Sequence, residues 1–427
     1  MDEGEGTPYS QHAPARALAT LRLRAERCVR QEDDAGLLAL AFELRGDDGF
    51  WPHLWAPACA IAAERLGRAG GFEFLEEAVA AGFSQPELFE GQLEQQFGDD
   101  STWPRIQARM GEAVPPPPVQ ILSWPDPSPS LPLKLDRIAD HRESLLRQQL
   151  PDAHPSAWDT ARATLEWTRR RWEHANDHVE HPDAVDILGR VDAGERFACV
   201  EYSIVLSQAL NALYIPARRV QLRQAHHHTG VGRGHVVAEA WIDDLDRWVL
   251  LDGQNGAYWA DATGVPMALP DLQRTHHRGE PPATMVGLVD DIDESSTAQW
   301  WTHFASASTT GYTWASPPFS PVFQQTRWIS TARLLQSSDH AYPSLSSLSV
   351  GLSGAAADPA ITLAAVHPYA ASFLVRTTGK EIPLPLSEPR WPMDTTPGRH
   401  EAELVVVTEY GPAMPSSLSY EVRSRGG

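Results

Sequence analysis

The sequence predicts an α+β protein: a core of helices and strands flanked by an N-terminal helical domain and a C-terminal β-sandwich-like domain. Three observations lead there. From about Ala15 to Met110 apolar residues recur at helical spacing, in Leu21, Leu23 and Val29, then Leu37 to Leu44, Cys59 to Leu66 and Phe72 to Ala80. From Cys199 to Asp252 one long apolar run is followed by three strand-like runs. From Tyr342 onward short alternating or β-branched runs, Ile361 to Val366, Ser372 to Thr377, Glu403 to Thr408 and Ser419 to Arg423, are separated by Pro and Gly.

The composition narrows the class. A chain of 427 residues exceeds one ordinary domain, and its 42% hydrophobic content supplies several cores. Its 56 acidic against 35 basic residues give a net charge of -21, which disfavours nucleic acid and anionic membranes as partners. The start, MDEGEGTPYSQHAPARA, has no basic or apolar leader region, and no run of eighteen apolar residues follows, so neither export nor a membrane span is expected. Cys28, Cys59 and Cys199 are too few and too scattered for a disulfide framework or a zinc set. A reducing, cytoplasmic compartment is expected.

In chain order, residues 1–14 read as a flexible tail and 15–113 as the helical domain, punctuated by Gly46, Gly49, Gly70-Gly71, Gly82 and Gly98. This domain is either a platform for a protein partner or a cap on the rest. The prolines at 115–118 and from Pro125 to Pro132 mark 114–132 as a stiff polyproline connector. A core over 133–284 opens with helices at Leu133 to Leu150 and Ser156 to Asn176, the latter N-capped by Ser156 and carrying Leu165, Trp167 and Trp172. Asp183 to Val191 gives a short helix. An extension at 285–340 carries Trp300, Trp301, Phe304, Tyr312, Trp314, Phe319, Phe323 and Trp328, either as packing or as an aromatic wall over a site, with packing favoured. The β domain occupies 341–427.

Within the core, Cys199 opens an apolar run that includes Ile204, Val205, Leu206, Ala209, Leu210 and Leu213, as expected of a buried central helix. A thiol in the first helical turn faces unpaired backbone N–H groups and the positive end of the helix dipole, both of which favour a thiolate nucleophile. Pro216 breaks the helix, and Arg218 to Gln224 reads as a strand. His235 to Ile242 alternates, with His235, Val237, Glu239 and Trp241 on one face. Asp243 to Asp246 suits a turn, and Arg247 to Asp252 returns as a third strand.

A hairpin closed by that turn pairs Ile242 with Arg247 and hence Val237 with Asp252. Asp252 then lies diagonal to His235, roughly 5 to 8 Å away between Cβ atoms and within side-chain reach. A one-residue slip would separate them. The three residue types form a triad in which Cys199 is the nucleophile, His235 the base and later the acid, and Asp252 the group that holds the imidazole. Arg218 is expected to serve the polar partners of its strand rather than the chemistry.

A cysteine at a helix start, a Pro-Ala-Arg strand entry, a histidine on an alternating strand and an aspartate ending the next resemble the transglutaminase-like superfamily of papain-fold enzymes. Cys199, Pro216-Ala217-Arg218, His235 and Asp252 fill the pattern in order, and the likeness runs from Trp167 to about Leu272, including Gly194-Glu195-Arg196-Phe197 and Asp252-Gly253-Gln254. The resemblance implies a papain-like core and Cys-His-Asp chemistry on amide bonds, in a family whose members cross-link proteins, hydrolyse peptides or remove glycans and include inactive forms. The backbone N–H of Cys199 is one oxyanion donor, and Trp167 and Trp172 are candidates for the second. Gln254 is a candidate for substrate contact.

His226-His227-His228 invites a metal reading that His276-His277 would extend. Adjacent side chains in an extended loop point opposite ways and no carboxylate is spaced to complete a site, so no metal or other cofactor is expected. His228 instead stands as a residue of the cleft rim. The function expected is a cysteine-dependent amide-bond hydrolase acting on a peptide or protein through a thioester, with an acyl transferase or a catalytically silent scaffold as alternatives.

Overall fold

The computed structural model describes residues 13–46, 51–112, 119–125, 133–180, 182–225, 233–309, 312–315, 333–334, 341–353 and 359–422. It is an α+β protein whose sheets are antiparallel apart from one short parallel pair. No helix among the described residues is long and apolar enough to cross a membrane.

The first part is helical: α1 (Ala13–Arg30), α2 (Asp34–Leu44), a π-helical turn (Trp51–Trp55), α3 (Ala56–Arg65), α4 (Gly71–Ala80), α5 (Gln92–Phe97) and α6 (Trp103–Glu112). Their starts follow local chemistry. The Asp33 carboxylate caps α2 by accepting from the Gly36 N–H, and Pro57 sits in the first turn of α3, where its missing N–H costs nothing. Leu37, Leu44, Ile61, Leu75, Phe83, Phe97 and Trp103 close into one core, and Cys59 lies inside it.

A central sheet, of eight strands among the described residues, follows. Before it come β1 (Val119–Ser123), α7 (Asp140–Arg147), α8 (Ala157–Arg169), α9 (Ala184–Asp192) and α10 (Cys199–Ala212). Its strands are β2 (Ala217–Arg223), β3 (Gly234–Ile242), β4 (Arg247–Asp252), β5 (Ala257–Ala260), β6 (Thr284–Gly287), β7 (Ser306–Thr309), β8 (Tyr312–Ala315) and β9 (Arg333–Leu334), with α11 (Leu269–His277) and α12 (Glu294–Trp301) between them.

Helix α10 is buried all round, as its run of apolar residues requires. Leu206 and Leu210 pack with Ala238, Ala240 and Ile242 of β3 and with Ala161 and Leu165 of α8. Tyr202, Val205 and Ala212 pack against Leu146, Ile187 and Leu188 of α7 and α9. The small alanines of β3 give the helix room. Tyr214 ends α10 in the left-handed region (φ 62), and the Ile215 N–H returns to the Leu210 carbonyl at 2.9 Å. The Asn211 side chain then brackets Ala217, donating to its carbonyl at 2.8 Å and accepting its N–H at 3.2 Å, which sets where β2 begins.

Two stretches expected to be irregular carry strands. The connector expected over 114–132 contains β1, whose alternating Val119-Gln120-Ile121 pairs antiparallel with the last strand of the β domain. The extension expected over 285–340 supplies β7, which pairs with β2 and widens the central sheet. Neither strand has the length or patterning to stand alone. Each forms because an open sheet edge is there to receive its backbone.

The C-terminal part comprises β10 (Leu348–Ser353), β11 (Ala360–Ala365), β12 (Ser372–Thr377), β13 (Lys380–Pro385), β14 (Arg390–Pro392), β15 (Gly398–Thr408), β16 (Gly411–Pro412) and β17 (Ser416–Val422). Strands β10, β11 and β14 form one sheet and the others, with β1, form a second. Ile361, Leu363 and Trp391 of the first meet Phe373, Leu404, Val406 and Tyr420 of the second in a shared core, a β-sandwich. This sandwich grips the β3–β4 turn. Asp243 accepts from Thr408 Oγ1 at 2.6 Å and faces His367 Nε2 at 3.2 Å, while Tyr410 donates to the Leu213 carbonyl at 2.7 Å.

Candidate active site

Cys199 is the first residue of α10, preceded by Ala198 in extended geometry, and its side chain is partly exposed. The approach to it is clamped. The Phe197 carbonyl accepts from the Ala175 N–H at 3.0 Å and from Trp172 Nε1 at 3.2 Å, and the Ala198 N–H donates to the Asp177 carbonyl at 3.2 Å. One turn into the helix, the Tyr202 hydroxyl donates to the Trp172 carbonyl at 2.5 Å and its ring stacks on Trp172 at 4.0 Å. Buried Glu201 accepts from the Val179 N–H at 3.1 Å and lies 3.2 Å from His178 Nδ1. The sulfur therefore sits on a helix start that cannot drift.

Strands β3 and β4 pair Ile242 with Arg247 through Ala238 with Leu251, the register that sets Asp252 opposite Val237. The side chains meet: His235 Nε2 lies 2.8 Å from Asp252 Oδ2. The Cys199 side chain lies near enough to the His235 ring to favour its protonated form. Gly253 brings the two halves together, because a Cβ there would press on the Tyr202 carbonyl at 3.2 Å and its Cβ at 3.3 Å. A glycine lets the end of β4 lie this close to α10 without pushing the helix backbone aside by a few tenths of an ångström.

His235 and Asp252 are both nearly fully buried. Burial pushes the His235 pKa down, but the Asp252 charge and hydrogen bond together with Cys199 outweigh it and hold the ring up at about 10. Burial likewise raises Asp252, and the His235 charge with two bonds from Asn255 brings it below the ordinary carboxylate value. The ring is thus a cation and the carboxylate an anion at neutral pH, so Nε2–H donates to Oδ2. Nδ1 is the ring nitrogen that Asp252 does not take.

The sign of the pH dependence follows. His235 titrates at 6.5 when unperturbed and at about 10 here, so its pairing stabilises the fold fully below about pH 6.5 and is lost as the pH rises through about 10. Urea unfolding across that interval is expected to show stability falling with pH, and Asp252→Asn to flatten the slope. A wild-type curve as flat as the variant's would contradict the ion pair.

Three neighbours complete the site. Trp300 of α12 lies over the His235 ring, centroids 4.4 Å apart and planes 36° apart. His303, buried, lies 6.2 Å from His235, and its Nδ1 is 3.3 Å from the Trp300 carbonyl. Burial and then the His235 charge lower its pKa, which keeps it neutral. Asn255 holds Asp252 from the turn after β4. A cleft of about 290 Å³ opens beside them, lined by Arg169, Gln254, Asn255, Asp290, Asp291 and Trp300 among others.

Gln254, singled out in the sequence, lines this cleft. Trp172 is buried, with its indole N–H given to Phe197, so it buttresses the Cys199 segment and has no donor to offer an oxyanion. Trp167 packs beside it with the Arg171 guanidinium 5.4 Å from its ring. His226, His227 and His228 lie outside the described residues, and His276 packs edge-on to Trp301 at 5.6 Å. The aromatic extension divides between the two roles weighed for it. Trp300 covers His235, whereas Trp301 and Phe304 pack on Trp259. Tyr312 and Trp314 fall in β8, and Phe319, Phe323 and Trp328 lie outside the described residues.

Asn255 and His303 carried no expectation from the sequence, and Trp300 was one of eight aromatics weighed together for packing or for a wall over the site. Asn255 had a local signal, since an Asp followed three residues later by Asn in DGQN is turn chemistry. For His303 there was none. No protein-family model matches the chain, and no curated protein matches it in sequence.

Proposed function

We propose that this chain is a cysteine-dependent amide-bond hydrolase with a papain-like, transglutaminase-like core, acting through a thioester on Cys199. The observation that carries the reading is the buried pair of His235 and Asp252, 2.8 Å apart, with the partly exposed Cys199 at the head of α10 beside the ring. The Pro216-Ala217-Arg218 strand entry adds the likeness in sequence.

The Cys199 thiolate attacks the carbonyl carbon, forming a C–S bond as the carbonyl pair moves onto oxygen, where the Cys199 backbone N–H meets it. Collapse of this adduct breaks the C–N bond while His235 gives its Nδ1 proton to the departing nitrogen. In the second half His235 takes a proton from water, whose oxygen attacks the thioester. The C–S bond breaks, sulfur leaves as thiolate and the acid is released. Water is taken as the acceptor because His235 serves both halves without a further part.

Selective alkylation tests the nucleophile. Burial pushes the Cys59 thiol up to about 12, and burial with the Asp33 charge raises Cys28. Iodoacetamide at neutral pH is expected to label Cys199 well before either; equal labelling of all three would remove the basis for catalysis. The reaction itself is tested by offering acyl-donor peptides with a labelled primary amine. Released acid in excess is the expected result. Dominant amine adduct would make the protein an acyl transferase, and neither product from a wide peptide set would make it a scaffold.

A further inference from the structure

Asn255 lies in the turn between β4 and β5, three residues after Asp252, and both of its N–H groups point back at that carboxylate. Its backbone N–H donates to Oδ1 at 3.1 Å and its side-chain Nδ2 to Oδ2 at 2.8 Å. Oδ2 is also the oxygen that meets His235 Nε2. The terminal torsion of an aspartate is broad and nearly two-fold, so a strand-end carboxylate with one partner can rock. Fixed donors on both oxygens leave it one orientation. Asn255, half-buried, also lines the cleft beside Gln254 and Trp300, whereas Asp252 is buried and does not line the cleft. Without its amide, water would reach Oδ2 and compete with the imidazole for it.

We propose that Asn255 is a positioning residue, whose side-chain amide holds the Asp252 carboxylate turned toward His235 and shut off from cleft water. This rests on the Cys-His-Asp reading above. An amide suits the place because it donates without charge: an aspartate at 255 would repel Asp252, and an alanine would leave Oδ2 to solvent.

The test follows alkylation of Cys199 in the full-length protein by iodoacetate across pH. The negatively charged reagent reacts fastest where thiolate and imidazolium stand together, so the alkaline limb of its rate profile reports loss of the His235 proton. Asn255→Ala loosens the Asp252 contact, and the limb is expected to move down by about one pH unit, a tenfold change in the proton equilibrium of His235. Asn255→Ser, which keeps a shorter donor, is expected to move it less in the same direction, and it carries the test if the alanine variant does not fold. Cys199 at the head of α10 and His303 after α12, the other titratable groups beside His235, are unchanged in the comparison. A limb that stays in place or moves up in a folded variant overturns the role of Asn255 alone. A wild-type profile without an alkaline limb at Cys199 overturns the triad reading with it.

Discussion

Asp252→Asn is expected to fold normally and to lose about four orders of magnitude in turnover. The side chains have the same shape, so the β4 end and its turn should survive. What changes is charge and proton direction. Asp252 accepts from His235 Nε2 and Asn255 Nδ2 on Oδ2 and from the Asn255 backbone N–H on Oδ1, so both oxygens face donors. An asparagine has one acceptor oxygen for these donors, so one contact becomes donor against donor, or the imidazole adopts the wrong tautomer. Burial of His235, opposed at present mainly by the Asp252 charge, would then push its pKa down with only Cys199 left to oppose it. The checks are circular dichroism for the fold, peptide turnover for the rate and iodoacetamide labelling for Cys199. A variant that fails to fold would make Asp252 a structural residue, and one that keeps full turnover would end the triad.

Arg218→Ala is expected to act in the opposite way, costing about 3–5 kcal/mol of stability and little chemistry. Arg218 Nε meets Glu239 Oε1 at 2.6 Å and Arg218 Nη2 donates to the Ala341 carbonyl at 2.7 Å. Its guanidinium lies between the rings of Trp248 and Tyr342, at 4.7 and 4.8 Å from their centroids. The Tyr342 hydroxyl donates to the other Glu239 oxygen at 2.7 Å, and Arg218 and Glu239 are buried. Burial pushes the Glu239 pKa up, with Arg218 as its main counterweight. Truncating Arg218 leaves a buried carboxylate without its cation, whereas replacing the pair with apolar residues, as in Arg218→Met with Glu239→Leu, should recover much of the loss. Urea midpoints measure this, with Cys199 labelling of the folded fraction as the control. A folded, stable and inactive Arg218→Ala would move this residue into the chemistry.

Much of the candidate site was legible because its parts are local. The apolar run after Cys199 has no polar face, so a helix there has to be central. The turn at Asp243 to Asp246 permits a register in which His235 and Asp252 share a face, and strand parity carries that relation down the hairpin. Asn255 belongs to the same local class, since its bonds to Asp252 span three residues.

Other parts were not legible, for a different physical reason. Trp300 lies far along the chain from His235, and nothing in the spacing of Trp300, Trp301 and Phe304 tells which ring covers the imidazole. That is decided when α12 docks and Trp301 and Phe304 fill the space around Trp259. Trp172 read as a donor for the cleft until folding set the Phe197 carbonyl within reach of its indole. Strands β1 and β7 were hidden because their partners are β17 and β2, whose open edges exist only after the sheets assemble. The sequence by itself determined the buried helix behind Cys199, the hairpin parity and the order of helical, mixed and β parts, because periodicity and turn geometry act over a few residues. Tertiary structure alone decided what covers and buttresses the site, because long-range packing chooses among aromatic side chains and sheet edges that are locally equivalent.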